Sequence, residues 1–401
     1  MDVSRGAPFH GAPNLCQEPK LEYEMSIEEG TFVQKYDLLG CIQCGRCTGG
    51  CPVTVRTDLN VRRFVYDTVD DDRLEEISEK PEIWDCTTCN TCAIRCPKGL
   101  EPFEVLMGLR AMRAEEGNIE PTAISALESM FNNGNPWGKA AAKRTDWMEG
   151  VEGARILEEG EKADILMHVC CTSAYDPKLM PLVKTLVKVL NAAGADFGFI
   201  GEEEKHCGSE ARRLGEEGLM EYFDEENTEL FGRYDVNRLV TVSPHCFNSF
   251  KNEYTNLSLP VMHYTQLIAE LLEDGKLELP NEVVTKAVFH DPCYLGKKNL
   301  VFDEPRYVLG KIKGLELTEF FRNKERSLCC EGGGGKMWVE SESKAPRLAE
   351  TRVADAHDLG AQTIAVACPF CWLTIEDAIK AKGYEEEMVV KDIIELLGEA
   401  L

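Results

Sequence analysis

The chain has 401 residues, 18 of them cysteine, with 44 Lys and Arg against 70 Asp and Glu and a formal net charge of −26. That charge excludes a nucleic-acid backbone as a partner, since such binding needs a basic face. The 43% hydrophobic content supports packed cores in two or three domains. Residues 1–35 are charged and lack an apolar leader, so they read as an N-terminal arm. No run is apolar enough for a membrane helix. The expected location is the cytoplasm, or the inner face of the membrane through a partner. Cysteines this numerous in a long chain without an export signal are metal or redox ligands, not a disulfide framework.

Residues 36–145 open with Cys41-x2-Cys44-x2-Cys47-x3-Cys51-Pro52, and the same spacing returns as Cys86-x2-Cys89-x2-Cys92-x3-Cys96-Pro97. This is the bacterial ferredoxin run, which used twice holds two cubane [4Fe–4S] clusters. Three thiolates of a run wrap one cluster and the fourth points to the other. The spacing assigns Cys41, Cys44, Cys47 and Cys96 to one cubane, and Cys86, Cys89, Cys92 and Cys51 to the other. Zinc also binds C-x2-C pairs, but eight cysteines in this double register are a poor match for it. Between the runs, apolar spacing predicts helices over 61–66 and 73–77, a helical insertion in the ferredoxin. Helices over 104–115 and 121–131 follow, then a loop over 132–138 rich in turn residues.

Residues 160–280 and 281–401 repeat one another. Cys171 pairs with Cys293, His206 and Cys207 with Cys329 and Cys330, and Ser243 and Cys246 with Cys368 and Cys371, at an offset of about 120 residues. Buried strands are expected over 165–169, 197–200 and 239–242, then over 287–290, 315–320 and 363–367. Helices are expected over 178–193 and 216–231, then over 306–313, 346–356 and 370–382. The distal segment 263–268 is aligned with 389–394 as a further helix. Alternation of this kind implies parallel α/β sheets whose C-terminal strand ends gather ligands. The expected architecture is therefore α+β and multidomain: a helical dicluster ferredoxin domain followed by two tandem α/β repeats.

The second copy is complete, with Cys293, Cys329, Cys330, Cys368 and Cys371. It resembles the CCG cysteine-rich domain of the heterodisulfide reductase family. Cys41-Ile-Gln-Cys44-Gly-Arg-Cys47 and Ile83-Trp-Asp-Cys86-Thr-Thr-Cys89 resemble that family's small iron–sulphur subunit, and the arrangement resembles its fused D-type subunit over nearly the whole chain. The resemblance implies a noncubane [4Fe–4S] cluster on those five cysteines, at the site of disulfide cleavage. It implies an oxidoreductase subunit passing electrons through the two cubanes to or from that cluster. His290, three residues before Cys293, is the candidate proton donor by its ordinary pKa near 6.5; the alternative is a structural role, since His168 recurs in the first copy. Lys297, Lys298 and Lys336 read as solvated lysines or as an attraction for an anionic thiol. Trp338 and Trp372 read as core or cluster cover.

The chain departs from the pattern in two places. Glu331 stands where the family has glycine. The first copy keeps Cys171, Cys207 and Cys246 but has His206 and Ser243 at two ligand positions. That copy is either a vestigial half that shapes the pocket, or a second iron–sulphur or zinc site completed by Cys170, His206 or His245. A single intact motif resembles more closely the related subunit of sulphur-metabolising membrane complexes. With no flavin or nicotinamide fingerprint, electrons pass through partners, either a haem-bearing membrane subunit or a soluble flavin subunit. The substrate is a thiol or disulfide, small or protein-borne. The alternative is an electron-relay subunit of a glycolate, lactate or glycerol-3-phosphate type flavin dehydrogenase. Cys16 has no assignable role.

Overall fold

The computed structural model describes residues 31–340, 343 and 345–401. Cys16 and most of the N-terminal arm lie outside the described residues. Short apolar runs such as Thr363–Val366 are buried along their whole length, as befits a parallel sheet covered on both faces. Between them, Met180–Ala192 and Glu217–Phe231 carry an apolar stripe at helical spacing and bury it.

Two four-stranded sheets result. The first comprises β1 (Lys162–His168), β2 (Phe197–Gly198), β3 (Asp235–Thr241) and β4 (Val261–His263), in the order β2-β1-β3-β4. The second comprises β5 (Glu282–Phe289), β6 (Lys313–Thr318), β7 (Thr363–Val366) and β8 (Val389–Asp392), in the order β6-β5-β7-β8. Every strand pair is parallel. A helical domain followed by two tandem α/β units is thus the architecture expected from the sequence.

One expectation is corrected. Residues 389–392 are strand β8, not helix, and β4 likewise precedes the last helix of its repeat. His263 and Asp392, not His263 and Val389, are equivalent: each caps the helix that follows. A short edge strand running straight into a helix gives no periodic signal of its own.

The repeats pack as a pseudo-symmetric pair. Helix Ile393–Ala400 of the second lies on Met180–Ala192 of the first, and Tyr264–Glu273 lies on Asp303–Lys311. One apolar core containing Leu166, Val240, Phe289 and Leu397 runs through both. Across this seam Tyr264 Oη donates to Asp392 Oδ1 at 2.6 Å, and the Ile394 amide donates to the same oxygen at 3.0 Å. Burial nevertheless pushes the Asp392 carboxyl up to about 8.

The ferredoxin domain is built from helices that include Val61–Asp67, Leu74–Ser78, Pro102–Glu115 and Pro121–Asn133. Helix Pro102–Glu115 packs on Ser209–Leu214 of the first repeat. Gly215, at φ +99°, makes that approach feasible, because a Cβ there would fall 2.5 Å from the Arg110 carbonyl oxygen.

Candidate functional site

The two ferredoxin runs fold onto the same local backbone. Gln43 and Gly45 flank Cys44 at φ 55° and 75°, and Thr88 and Asn90 flank Cys89 at 50° and 67°. Left-handed non-glycine residues cost of order 1–3 kcal/mol each. Here the turns aim donors at sulphur. The Thr88 amide donates to Cys86 Sγ at 3.4 Å, and Gln43 Nε2 donates to Cys41 Sγ at 3.3 Å.

Cys41, Cys44, Cys47 and Cys96 line a single cavity. Cys51 reaches across to Cys86, Cys89 and Cys92. Burial, and then the negative charge of the neighbouring sulphurs, raises the Cys51 and Cys92 thiols. Thiols grouped this closely ionise together only around a cationic centre. Both donor sets fit a cubane.

In the second repeat the strand ends of β5 and β7 bracket the topological switch point, and the five cysteines gather there. Cys329 lies within hydrogen-bonding reach of Cys293 and Cys330. Cys330 Sγ is 3.3 Å from Cys371 Sγ, and Cys371 reaches Cys368. The Glu331 and Gly332 amides donate to Cys329 Sγ at 3.3 Å and Cys330 Sγ at 3.4 Å. None of the five is more than 8% exposed. Cys329 also touches Cys89 of the ferredoxin domain, so the sulphur sets of the two domains are in direct contact.

Glu331 holds the left-handed conformation, φ 63°, that the usual glycine would supply. Its carboxylate is clamped by Arg56 Nη1 at 2.5 Å and by the Leu348 amide at 2.6 Å. Arg56 follows Cys51 in sequence, so this buried pair ties the loop after Cys51 to the turn that carries Cys329 and Cys330. The turn comes closer still at Gly334, where a Cβ would fall 2.8 Å from the Cys86 carbonyl oxygen.

His290 has a ring nitrogen within 4.8 Å of both Cys330 and Cys371. Arg352 Nε donates to its Nδ1 at 3.4 Å. Burial, and then the Arg352 charge, pushes its pKa down to about 3. The ring is therefore neutral, and its titration does not fall near pH 6.5. Lys297 is buried, bonded to Thr91 Oγ1 at 2.9 Å and to the Ser327 carbonyl at 2.6 Å. Lys298 sits over the Phe103 ring at 4.1 Å, and Lys336 reaches the Trp84 carbonyl at 3.2 Å. Trp338 packs in the core, and Trp372 donates to Glu395.

The first repeat is organised differently. Cys246 lies within reach of Cys170 and Cys207, whereas Cys171 accepts from Arg144 Nη1 at 3.4 Å. Arg144 is paired with buried Glu204. Both nitrogens of His206 are engaged: Nδ1 accepts from the Gly208 amide at 3.0 Å, and Nε2 lies 3.0 Å from Glu210. Glu210 also holds His245 Nδ1 at 3.2 Å.

His245 stacks on Tyr294 at 4.1 Å and reaches Cys368 of the intact motif. Burial opposes the charge, but Cys368 and Glu210 together raise His245 to about 10. A cavity lined by Cys170, Cys207, Ser243 and His245 abuts Phe370, beside that motif. Spacing and motif do not single out Glu210, Arg144 and Glu204. Their one cue in the sequence is charge inside an otherwise buried segment.

A dicluster ferredoxin feeding a pair of cysteine-rich α/β repeats is the class of protein that this fold and these sulphur sets define. Two family models agree. "4Fe-4S dicluster domain" matches residues 37–100, and "Cysteine-rich domain" matches 165–251 and again 287–376. The D-type subunit of dihydromethanophenazine:CoB–CoM heterodisulfide reductase from Methanosarcina barkeri is 30% identical over 92% of this chain and 96% of that protein. The chain belongs to the family of D-type heterodisulfide reductase subunits, which are iron–sulphur redox proteins. An EtfAB:quinone oxidoreductase from Syntrophomonas wolfei is 32% identical over 94% of this chain and 60% of that protein. The chain spans about three-fifths of the length of this and two other curated relatives. A solved Helicobacter pylori protein titled hypothetical shares the fold, with TM-score 0.52 and 12% identity over 85% of this chain and 68% of that one. No helix among the described residues is long and apolar enough to cross a membrane.

Proposed function

We propose that the chain is an electron-transfer subunit in which the cysteines of the second repeat interconvert a disulfide and two thiols. The contact between Cys89 and Cys329 carries this reading, because it joins the ferredoxin sulphurs to the repeat's sulphurs without an intervening residue. Cys41, Cys44, Cys47 and Cys96 would hold the outer cubane, and Cys51, Cys86, Cys89 and Cys92 the inner one. Cys293, Cys329, Cys330, Cys368 and Cys371 would hold a noncubane cluster, which when bound supplies one-electron chemistry at sulphur.

The reaction takes a disulfide, two electrons and two protons to two thiols. Neutral His290, with Nδ1 engaged by Arg352, offers its Nε2–H as a fixed hydrogen-bond donor toward Cys330 and Cys371. His245 donates to Cys368 from the other side. A small cavity of the first repeat, about 20 Å³ and walled by Ser243, His245 and Phe370, borders the motif. On this reading the first repeat shapes the pocket. Its three mutually close thiols fall short of the five in the intact motif.

Electrons enter or leave at Cys44, the exposed member of the outer set. Around it Leu39 and Ile42 are 80% and 61% exposed. Arg46, Arg62, Arg95 and Lys98 form no ion pair among the described residues, in a chain of net charge −26. This basic, apolar rim suits the acidic face of a redox partner, a haem-bearing membrane subunit or a flavin subunit.

Anaerobic iron analysis is expected to give about 12 Fe per chain. Oxidised protein is expected to show a thiol-dependent EPR signal that C330S abolishes. Iron near 8 with zinc present, or a signal that C330S leaves untouched, would sink the proposal. The burial of all five cysteines favours a second reading, a relay that passes electrons on from a flavin partner. Reduction of a disulfide by the isolated, viologen-reduced protein separates the two.

A further inference from the structure

Arg110 lies on helix Pro102–Glu115 and is fully buried. Each of its five N–H bonds ends on a main-chain carbonyl. Nε and Nη2 donate to Ile83 at 3.1 and 2.8 Å, and Nη2 donates to Cys86 at 2.7 Å. Nη1 donates to Arg213 at 2.9 Å and to Gly334 at 3.0 Å. The face of Trp84 covers the guanidinium at 5.0 Å.

Among the described residues no carboxylate forms an ion pair with it. The other buried arginines of this junction differ: Arg213 is paired with Glu253, and Arg144 with Glu204. Carbonyl oxygens solvate a cation without neutralising it. An unpaired buried charge costs several kcal/mol, so a balancing negative charge is needed nearby. The largest such influence on the guanidinium comes from Cys86, which belongs to the inner sulphur set, ahead of Tyr294 and the Asp85 carboxylate. A thiolate-bound [4Fe–4S] cluster is anionic and gains charge on reduction, and its potential follows local charge and burial.

We propose that Arg110 is the fixed counter-charge of the inner cubane and sets its reduction potential. The proposal rests on the assignment of a cubane to Cys51, Cys86, Cys89 and Cys92. At the outer set the cations Arg46, Arg62, Arg95 and Lys98 are exposed or half-buried, so water and salt screen them. The fixed charge therefore favours residence of the electron on the inner cluster, against Cys329. Arg110 is here a positioning and tuning residue, since its action passes through Cys86.

The test is an EPR-monitored redox titration of the iron-loaded protein. R110Q, which keeps amide donors but loses the charge, and R110M are expected to weaken reduction of the inner cluster at least tenfold, a shift of about 59 mV for one electron. The outer cluster serves as internal control and is expected to stay put. R110K keeps the charge with fewer donors, so its potential should match the parent while its thermal midpoint falls. A fully loaded R110Q with an unmoved potential, or an R110K that shifts as far as R110Q, overturns the proposal. Loss of about four Fe from R110Q and R110M but not from R110K supports it through assembly, and equal loss from all three overturns it. Parent protein with fewer than about 8 Fe instead overturns the cubane assignment itself, and this proposal with it.

Discussion

The two repeats share a sheet order, a cap position and a place for cysteines at their strand ends, yet they have diverged in what fills that place. In the second, five thiols touch in a string and two backbone amides point at them. In the first, His206 and Ser243 replace two thiols, and buried Glu210 draws His206 and His245 together. The freed space borders Phe370 of the other repeat. After duplication one half gathers five thiols, and the other gathers three beside two histidines and a carboxylate.

The comparison breaks most sharply at the cysteines. C330S is expected to remove about four Fe per chain, while C246S leaves iron unchanged. Iron analysis of both decides it, and loss from C246S would mean that the first repeat holds a cluster too. The next effect concerns the Glu331 turn, whose counterpart in the first repeat is Gly208 at φ 76°, with no carboxylate to clamp. R56A strands a buried carboxylate and is expected to cost about 3–5 kcal/mol in denaturant unfolding. R56A/E331G should recover most of that loss, since glycine also relieves the positive φ.

A smaller effect is expected where the repeats meet. H245F, which copies the residue at Phe370, removes a hydrogen bond of about 1.5–3 kcal/mol to a charged sulphur. It should shift the EPR spectrum of the second-repeat cluster while leaving the ferredoxin signals alone.

The smallest effect separates the two equivalent caps. Burial pushes His263 down to about 3 and Asp392 up to about 8. Between roughly pH 4 and 6.5 the folded protein binds a proton at Asp392 that the unfolded chain lacks, and lacks one at His263 that the unfolded chain binds. The two slopes oppose each other there. From pH 6.5 to 8 Asp392 is the one of the two caps that still acts, and its share of the stability falls as pH rises, by at most about 1.4 kcal/mol per unit. D392N should flatten the thermal midpoint over that window, and an unchanged slope would show that the carboxyl is already ionised.

Much of this was legible in the sequence because its signals are local. The ferredoxin runs carry their own turn residues, and the buried strands stand out as apolar runs. The duplication appears as a constant offset until its last element, where an edge strand shifts the register. What was not legible acts over long range. Nothing near Glu331 points to Arg56, and nothing near His245 points to Cys368. Arg110 reads as an ordinary charged residue on a helix until the fold wraps carbonyls round it. The choice between Cys170 and Cys171 was equally closed to spacing: the chain turns just there, so neighbouring thiols face Cys246 and Arg144 respectively.

Exposure of the cysteines falls along the proposed electron path. Cys44 is open to solvent, Cys41, Cys47, Cys51 and Cys96 are half-covered, and Cys86, Cys89, Cys92 and the five of the second repeat are buried. Dissolved oxygen meets them in that sequence. Damage by air should begin at the outer set and cut the protein off from its partner while the interior is still whole. An oxidised sample would then keep its buried sulphur sets but have no way to pass electrons to them, and rebuilding the outer set alone would restore it.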